Sequence, residues 1–595
     1  MILALAGFLL SSLSCQATFE DPAEPGSSGS AELAAIADEL WDVALERSAL
    51  LRMREGLPIE RLDDLSHAAA EAAVERARGF VARLNAIDAS SLDEAELVTL
   101  ESLRWQFATA IEGHEFFWHE GILPSYSSPL PSLRTLFAAM PLSNPGEVDA
   151  YLDLVDDVGP YVAQIEERVR GQHERGIVVP RPNLPAAQGI VASLLVAPRE
   201  GPFWFGAAPT VAAERTAGLE AAERQRLESG IEQRVRESVH PAAQSLLDYL
   251  RGDYAAAAPE EVGARQWPRG EEYYRFAVRR STTMDVTPEE VHRVGLELVA
   301  EMEAEMDSIR EATGFEGDRA AFRRFLQTDP RFFPDTPEDV GHRLMTAAEK
   351  MEAHVEELFL RRPRAPYGAE RLDPALEPSQ TYGYYDPPTP EEPRGIYYFN
   401  GSRLDQRSWL NLEAVSLHEL IPGHHFHIAR QLENESLPRI RRNDLHGAYT
   451  EGWGSYASAL GDQVGIYADP YSRYGYFVLE IFLATRLVVD PGMNLMGWSL
   501  EQGRAYMREH TLESETQITT ESLRYSADIP AQALAYQMGK RKLIELRERA
   551  REELGDRFDV RRFHEAVLEH GSLPMAVLER SIERFIEQQK AEADP

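Results

Sequence analysis

From Ala31 onward, apolar residues recur at spacings of three and four along most of the chain. That periodicity restricts the fold to one built by packing amphipathic helices. Ala31–Leu51, Leu65–Asn85, Leu92–His114 and Pro145–Arg175 predict long helices, and the period resumes over Ala212–Leu250. Thr287-Pro288-Glu289-Glu290 is a capping box with proline at the first helical position. It opens a helix expected to run to Ala312, and Pro337–Leu360 supplies another. Between Gly176 and Pro209 the chain is rich in proline and glycine and reads as a loop. Two aromatic and β-branched runs, Tyr382-Gly383-Tyr384-Tyr385 and Gly395-Ile396-Tyr397-Tyr398-Phe399-Asn400, predict short strands. Two roles stay open for them: an edge to which an extended peptide adds, or an apolar hairpin that plugs the core. No linker divides the rest. The expectation is therefore a mostly α, two-lobed unit over residues 31–595, with lobes of roughly 31–270 and 271–595 and a small sheet beside the site described below.

The first residues have a different character. Met1 to Leu13 is apolar but too short for a typical membrane span, and small residues precede Cys15, the single cysteine of the chain. One thiol excludes an intramolecular disulfide and a cysteine-rich metal site. Residues 1–15 read as an export signal, and residues 16–30 as a flexible polar tether. Cys15 is either the attachment point of a lipid that anchors the mature protein to a membrane, or an incidental residue of an ordinary signal peptide. The expected location is outside the cytoplasm, as a periplasmic protein or a membrane-anchored lipoprotein. A formal charge of −37 leaves no basic surface for nucleic acid, so that class of partner is excluded.

The chemistry concentrates in His418-Glu419-Leu420-Ile421-Pro422-Gly423-His424-His425 and, later, Glu451. A common zinc-peptidase helix carries two histidines at i and i+4, with the general-base glutamate just after the first. Here the i+4 position is Pro422. On an unbroken helix His424 would lie about 240° round from His418, and His425 about 10 Å further along the axis, so neither could share an ion with it. Proline removes a backbone donor and clashes with the preceding turn, while glycine tolerates unusual dihedrals. Pro422-Gly423 therefore predicts a break that swings His424 back toward His418. Glu451 is the natural third ligand, on a following helix that continues through Trp453, Tyr456, Ala457 and Leu460. Glu419 would be the base that takes a proton from water. The bland alternatives are structural histidines and a buried capping carboxylate at Glu451. His425 and His427 are expected to support the site or face solvent, and His446 ranks as a weaker alternative ligand.

These segments resemble the bacterial domain of unknown function number 885, a set of zincin-like proteins. The resemblance continues through Glu451-Gly452-Trp453, Arg486-Leu487-Val488-Val489-Asp490-Pro491-Gly492-Met493, Arg524-Tyr525, Pro530 to Gly539, Phe563-His564 and Gly571-Ser572-Leu573-Pro574. Upstream it takes in Gly270-Glu271-Glu272-Tyr273-Tyr274 and Thr287 to Glu290, so that it spans nearly all of residues 31–595. It implies a helical architecture comparable to the carboxypeptidase Taq and thimet oligopeptidase groups, with His418, His424 and Glu451 holding one Zn2+ per chain and Glu419 as base. It also implies a phenol donor for the oxyanion, best supplied by Tyr536, with Tyr525 a weaker second. Arg524 is placed to hold a substrate carboxylate or, equally, to form an internal salt bridge. The expected activity is zinc-dependent hydrolysis of short peptides in the cell envelope through a metal-activated water. A zinc hydrolase of another amide or ester, and a non-catalytic peptide-binding lipoprotein, are the alternatives. A retired site would be free to lose Glu419, which argues against the last.

Overall fold

Proline and capping side chains set where the long helices begin. Pro145, Pro288, Pro337 and Pro470 open the helices Pro145–Glu174, Pro288–Ala312, Pro337–Glu352 and Pro470–Asn494, where a missing N–H leaves no intrahelical bond unmade. Thr287 with Glu290, Thr336 with Asp339 and Asp93 with Glu96 bond reciprocally as capping boxes. The computed structural model describes residues 29–196, 215–374, 377, 382–390 and 392–591. The expected signal at residues 1–15 lies outside the described residues. So does the expected tether, except that Gly29 and Ser30 already form the first turn of the helix Gly29–Arg47.

The predicted helices are present, with several divided. Ala31–Leu51 is two helices, because Ser48 turns to extended dihedrals and its hydroxyl accepts from Leu51 N to start Ala49–Arg54. Ala212–Leu250 contains Ala221–Arg234 and His240–Arg251, joined by a π-helical turn over Val235–Val239. Pro337–Leu360 stops at Glu352 and restarts as Val355–Leu358. The stretch from Gly176 is not all loop. Leu184–Ala192 is helical with Pro185 in its first turn, a position where proline starts helices rather than breaking them; residues 197–209 of that stretch lie outside the described residues.

The sheet has three strands, β1 (Tyr367–Arg371), β2 (Gly383–Asp386) and β3 (Gly395–Phe399), in the order β1-β3-β2. β3 runs parallel to β1, with Tyr367 opposite Gly395, and antiparallel to β2, with Tyr385 opposite Tyr397. β1 was not anticipated, since Tyr-Gly-Ala-Glu-Arg carries no β-branched residue. Tyr385, Tyr397 and Phe399 of the sheet join the largest apolar cluster, which is drawn almost entirely from residues after 340 and runs to Ile586. A second cluster is built from residues 49–258. A third brings Phe116 and Tyr273 together with Leu487, Leu534 and Met538. No helix of the described residues is long and apolar enough to cross a membrane.

Candidate metal centre

The helix Leu412–Glu419 ends on the two motif residues His418 and Glu419. Leu420 leaves the helical region (φ −107°, ψ −105°), the Ile421–Pro422 peptide is cis, and a new helix starts at His424 and runs to Glu433. Gly423 is dictated by a close approach: a Cβ there would lie 1.8 Å from the His418 carbonyl oxygen and 2.4 Å from that of Leu417. Trp453 Nε1 donates to the Pro422 carbonyl at 2.8 Å and fixes the break against the next helix. The second helix is thereby folded back on the first. The His418 and His424 rings meet at 4.6 Å between centroids, edge to face.

Glu451 arrives on the helix Gly447–Gln463, which is buried along nearly its whole length. Tyr449 OH donates to Val567 O at 2.8 Å and Ser458 Oγ to Ala414 O at 2.8 Å, tying this helix to the C-terminal segment and to the first motif helix. Gly452 and Gly539 let it cross the helix Ala535–Leu554 at backbone contact; a Cβ on Gly539 would stand 1.9 Å from Ala448 O. That crossing lays the Tyr536 ring against His418, with centroids 5.9 Å apart and planes 17° from parallel.

The three candidate ligands converge. Glu451 Oε2 lies 3.5 Å from His418 Nε2 and 3.3 Å from His424 Nε2, and one ligand atom from each residue falls within 4.8 Å of the other two. Two ligands each about 2.1 Å from one tetrahedral ion lie about 3.4 Å apart, so the two histidine–glutamate separations are those of a tetrahedron's edges. Two imidazoles and one carboxylate match the three-residue shell of catalytic zinc, with a fourth position left over. Nδ1 of either ring has no hydrogen-bond partner among the described residues. The residues therefore fit a zinc ion.

Burial and neighbouring charges act differently on Glu451, Glu419 and Tyr536. Burial opposes the Glu451 charge, but hydrogen bonds from His418 and His424 outweigh it and hold the carboxyl well below its usual range. Glu419 is half-buried and is pushed up by burial, with His424 and His418 only partly offsetting this. Burial, helped by Glu451, lifts the Tyr536 phenol to about 12, so it stays protonated as a donor at neutral pH.

The other predicted residues have different settings. His425 is held as a structural link: its Nε2–H donates to Ala365 O at 3.0 Å and Nδ1 accepts from Tyr385 OH at 2.9 Å, joining the second motif helix to the sheet. Burial lowers its pKa to about 4, consistent with a neutral ring. His427 is buried against His424, with neither ring nitrogen bonded among the described residues. His446 points to Asp444 at 3.1 Å and stands outside the triad. Arg524 forms the internal pair, its Nη1 3.3 Å from Glu521. Tyr525 is fully buried and its hydroxyl donates to the same Glu521. Arg486, which carries no predicted role, lies with its guanidinium 4.7 Å from the Tyr536 ring centroid. The available signal was a lone arginine within the apolar run Ile481 to Val489.

The chain matches the family described as "Bacterial protein of unknown function" (DUF885) over residues 51–582. It belongs to the DUF885 family. A crystal structure of the putative lipoprotein from Colwellia psychrerythraea is 25% identical to this DUF885 chain, with a TM-score of 0.87 over 94% of this chain and 100% of that one. A second structure, a putative lipoprotein of unknown function from Shewanella oneidensis, is 17% identical with a TM-score of 0.66, covering 93% and 99% of the two chains, and speaks for the DUF885 fold alone. No curated protein matches the chain.

Proposed function

We propose that this DUF885 protein is a zincin-like, zinc-dependent peptidase that hydrolyses short peptides at the cell envelope. The observation that carries the proposal is the convergence of His418, His424 and Glu451, with Glu451 at tetrahedral-edge distance from both histidines and Glu419 directly after His418. When bound, a zinc ion supplies Lewis acidity, polarising a carbonyl oxygen and acidifying water. Glu419, with its raised pKa, takes a proton from the attacking water as the new C–O bond forms. It then returns that proton to the amine nitrogen as the C–N bond breaks, leaving an amine and a carboxylic acid whose remaining proton is lost on ionisation. Tyr536, protonated and stacked on His418, donates to the oxygen that carries the negative charge between these steps. The lipoprotein name of the Colwellia psychrerythraea neighbour supports export and anchorage through Cys15.

The test is digestion of a mixed peptide library, read by mass spectrometry, with wild type and Tyr536→Phe side by side. Wild type should release defined fragments, and loss of the phenol donor should slow them by about 10²–10³-fold. An intact library after incubation with zinc-loaded wild type would overturn the peptidase reading. Undiminished turnover in the variant would remove Tyr536 from the mechanism.

A further inference from the structure

Tyr536 lies in the first turn of the helix Ala535–Leu554, and its hydroxyl forms no hydrogen bond among the described residues. That freedom suits a donor that meets a negative oxygen only during the reaction, since a standing acceptor would compete for the same hydrogen. The ring must then be held by what it packs against. Two contacts do this: the His418 imidazole, 5.9 Å away and 17° from parallel, and the Arg486 guanidinium, 4.7 Å from the ring centroid. His418 is a candidate metal ligand, so its place is set by the triad. Arg486 has no such duty. It belongs to the helix Pro470–Asn494 and, at 4% exposure, is too enclosed to touch a substrate.

Arg486 is itself fixed. Its Nη2 lies 3.0 Å from Glu521, a fully buried carboxylate that also accepts from Tyr525 OH and stands 3.3 Å from Arg524 Nη1. The Phe482 ring, on the preceding turn of the same helix, is centred 4.5 Å from the guanidinium carbon. Two other donors of Arg486, Nε and Nη1, find no hydrogen-bond partner among the described residues. Unmade bonds on a buried guanidinium disfavour the fold, so stability alone does not explain its place. A cation over an aromatic face attracts the ring electrostatically, and the attraction grows as water is excluded. We propose that Arg486 is a positioning residue that acts through Tyr536, holding the phenol where it donates to the oxygen that carries negative charge during hydrolysis. This role rests on the peptidase reading above and concerns the oxyanion donor of that same site.

The experiment is a double-mutant cycle on zinc-loaded full-length protein: wild type, Arg486→Gln, Tyr536→Phe and the double variant, assayed on one peptide from the library. Arg486→Gln should lower kcat by about 5–30-fold, with KM within about 2-fold and zinc content unchanged. In the Tyr536→Phe background the same change should alter kcat by less than about 2-fold, because the hydroxyl through which it acts is gone. Arg486→Lys keeps a cation but not the planar fork, and should lose only about 2–5-fold. An equal loss in both backgrounds is what general structural damage produces, and would overturn the role while leaving the peptidase reading intact. Unchanged kcat in Arg486→Gln, or a change confined to KM, would overturn it as well. Should Arg486→Gln fail to fold, Arg486→Lys runs the same cycle: no loss, or a loss that persists in the Tyr536→Phe background, overturns the role. Wild-type turnover in Tyr536→Phe would remove the donor and its positioning residue together. A library left intact by wild type would remove the peptidase reading and this inference with it.

Discussion

Glu419→Gln is expected to reduce peptide hydrolysis by about 10²–10⁴-fold while the protein keeps its metal. The amide is isosteric with the carboxylate but has no basic oxygen to take a proton from water. Glu419 is not among the three converging ligands, so its charge is not needed to hold the ion. The substitution removes a carboxyl that burial already disfavours in its charged form, so the fold should not suffer. The measurement is paired: initial rates on the peptide library, and metal content of the same preparation. Unchanged turnover would exclude Glu419 as base. Lost turnover together with lost metal would assign it to ion binding instead.

Gly423→Ala should damage the site through the backbone alone. The new methyl group would meet two backbone oxygens, at 1.8 Å and 2.4 Å, and neither can rotate away as a side chain could. Either Leu417–His418 or the start of the second motif helix must move, and both carry candidate ligands. Overpacking of this kind costs about 1–3 kcal/mol, which should appear as a lower Tm in the metal-free protein. Zinc retention should fall with it, because the separations to Glu451 are fixed by the same break. Gly189→Ala is the control: nothing lies within 4 Å of a Cβ at that helical glycine, and zinc should be retained. A Gly423→Ala protein with wild-type Tm and full zinc would contradict the close-approach account of the break.

The approach of His418 and His424 was legible because its cause is local. Pro422-Gly423 interrupts a helix at a position where no regular helix could bring His418 and His424 together, and the structure has the break and the converging rings there. Glu451 was legible as a carboxylate at the start of an apolar helix, although its approach to both histidines depends on the Gly452–Gly539 crossing, which spacing does not reveal. Helix starts marked by proline and a capping box were legible for the same local reason. The division at Ser48 and the strand β1 were not, since Ser48 sits within an unbroken apolar period and β1 takes its conformation from pairing with β3. Arg486 lies furthest from sequence reasoning. Its neighbours Tyr536, Glu521 and Arg524 come from three later segments, and only packing shows that its donors face the same carboxylate as Arg524.

The central claim is that His418, His424 and Glu451 hold one zinc ion. Its most direct test is elemental analysis of the purified protein, with Glu451→Ala as the comparison. The account predicts about one zinc per chain in wild type, at the fourth-position-open site that a His2Glu shell makes, and little in the variant. Wild-type protein that contains no metal and takes none up on addition of zinc would contradict it.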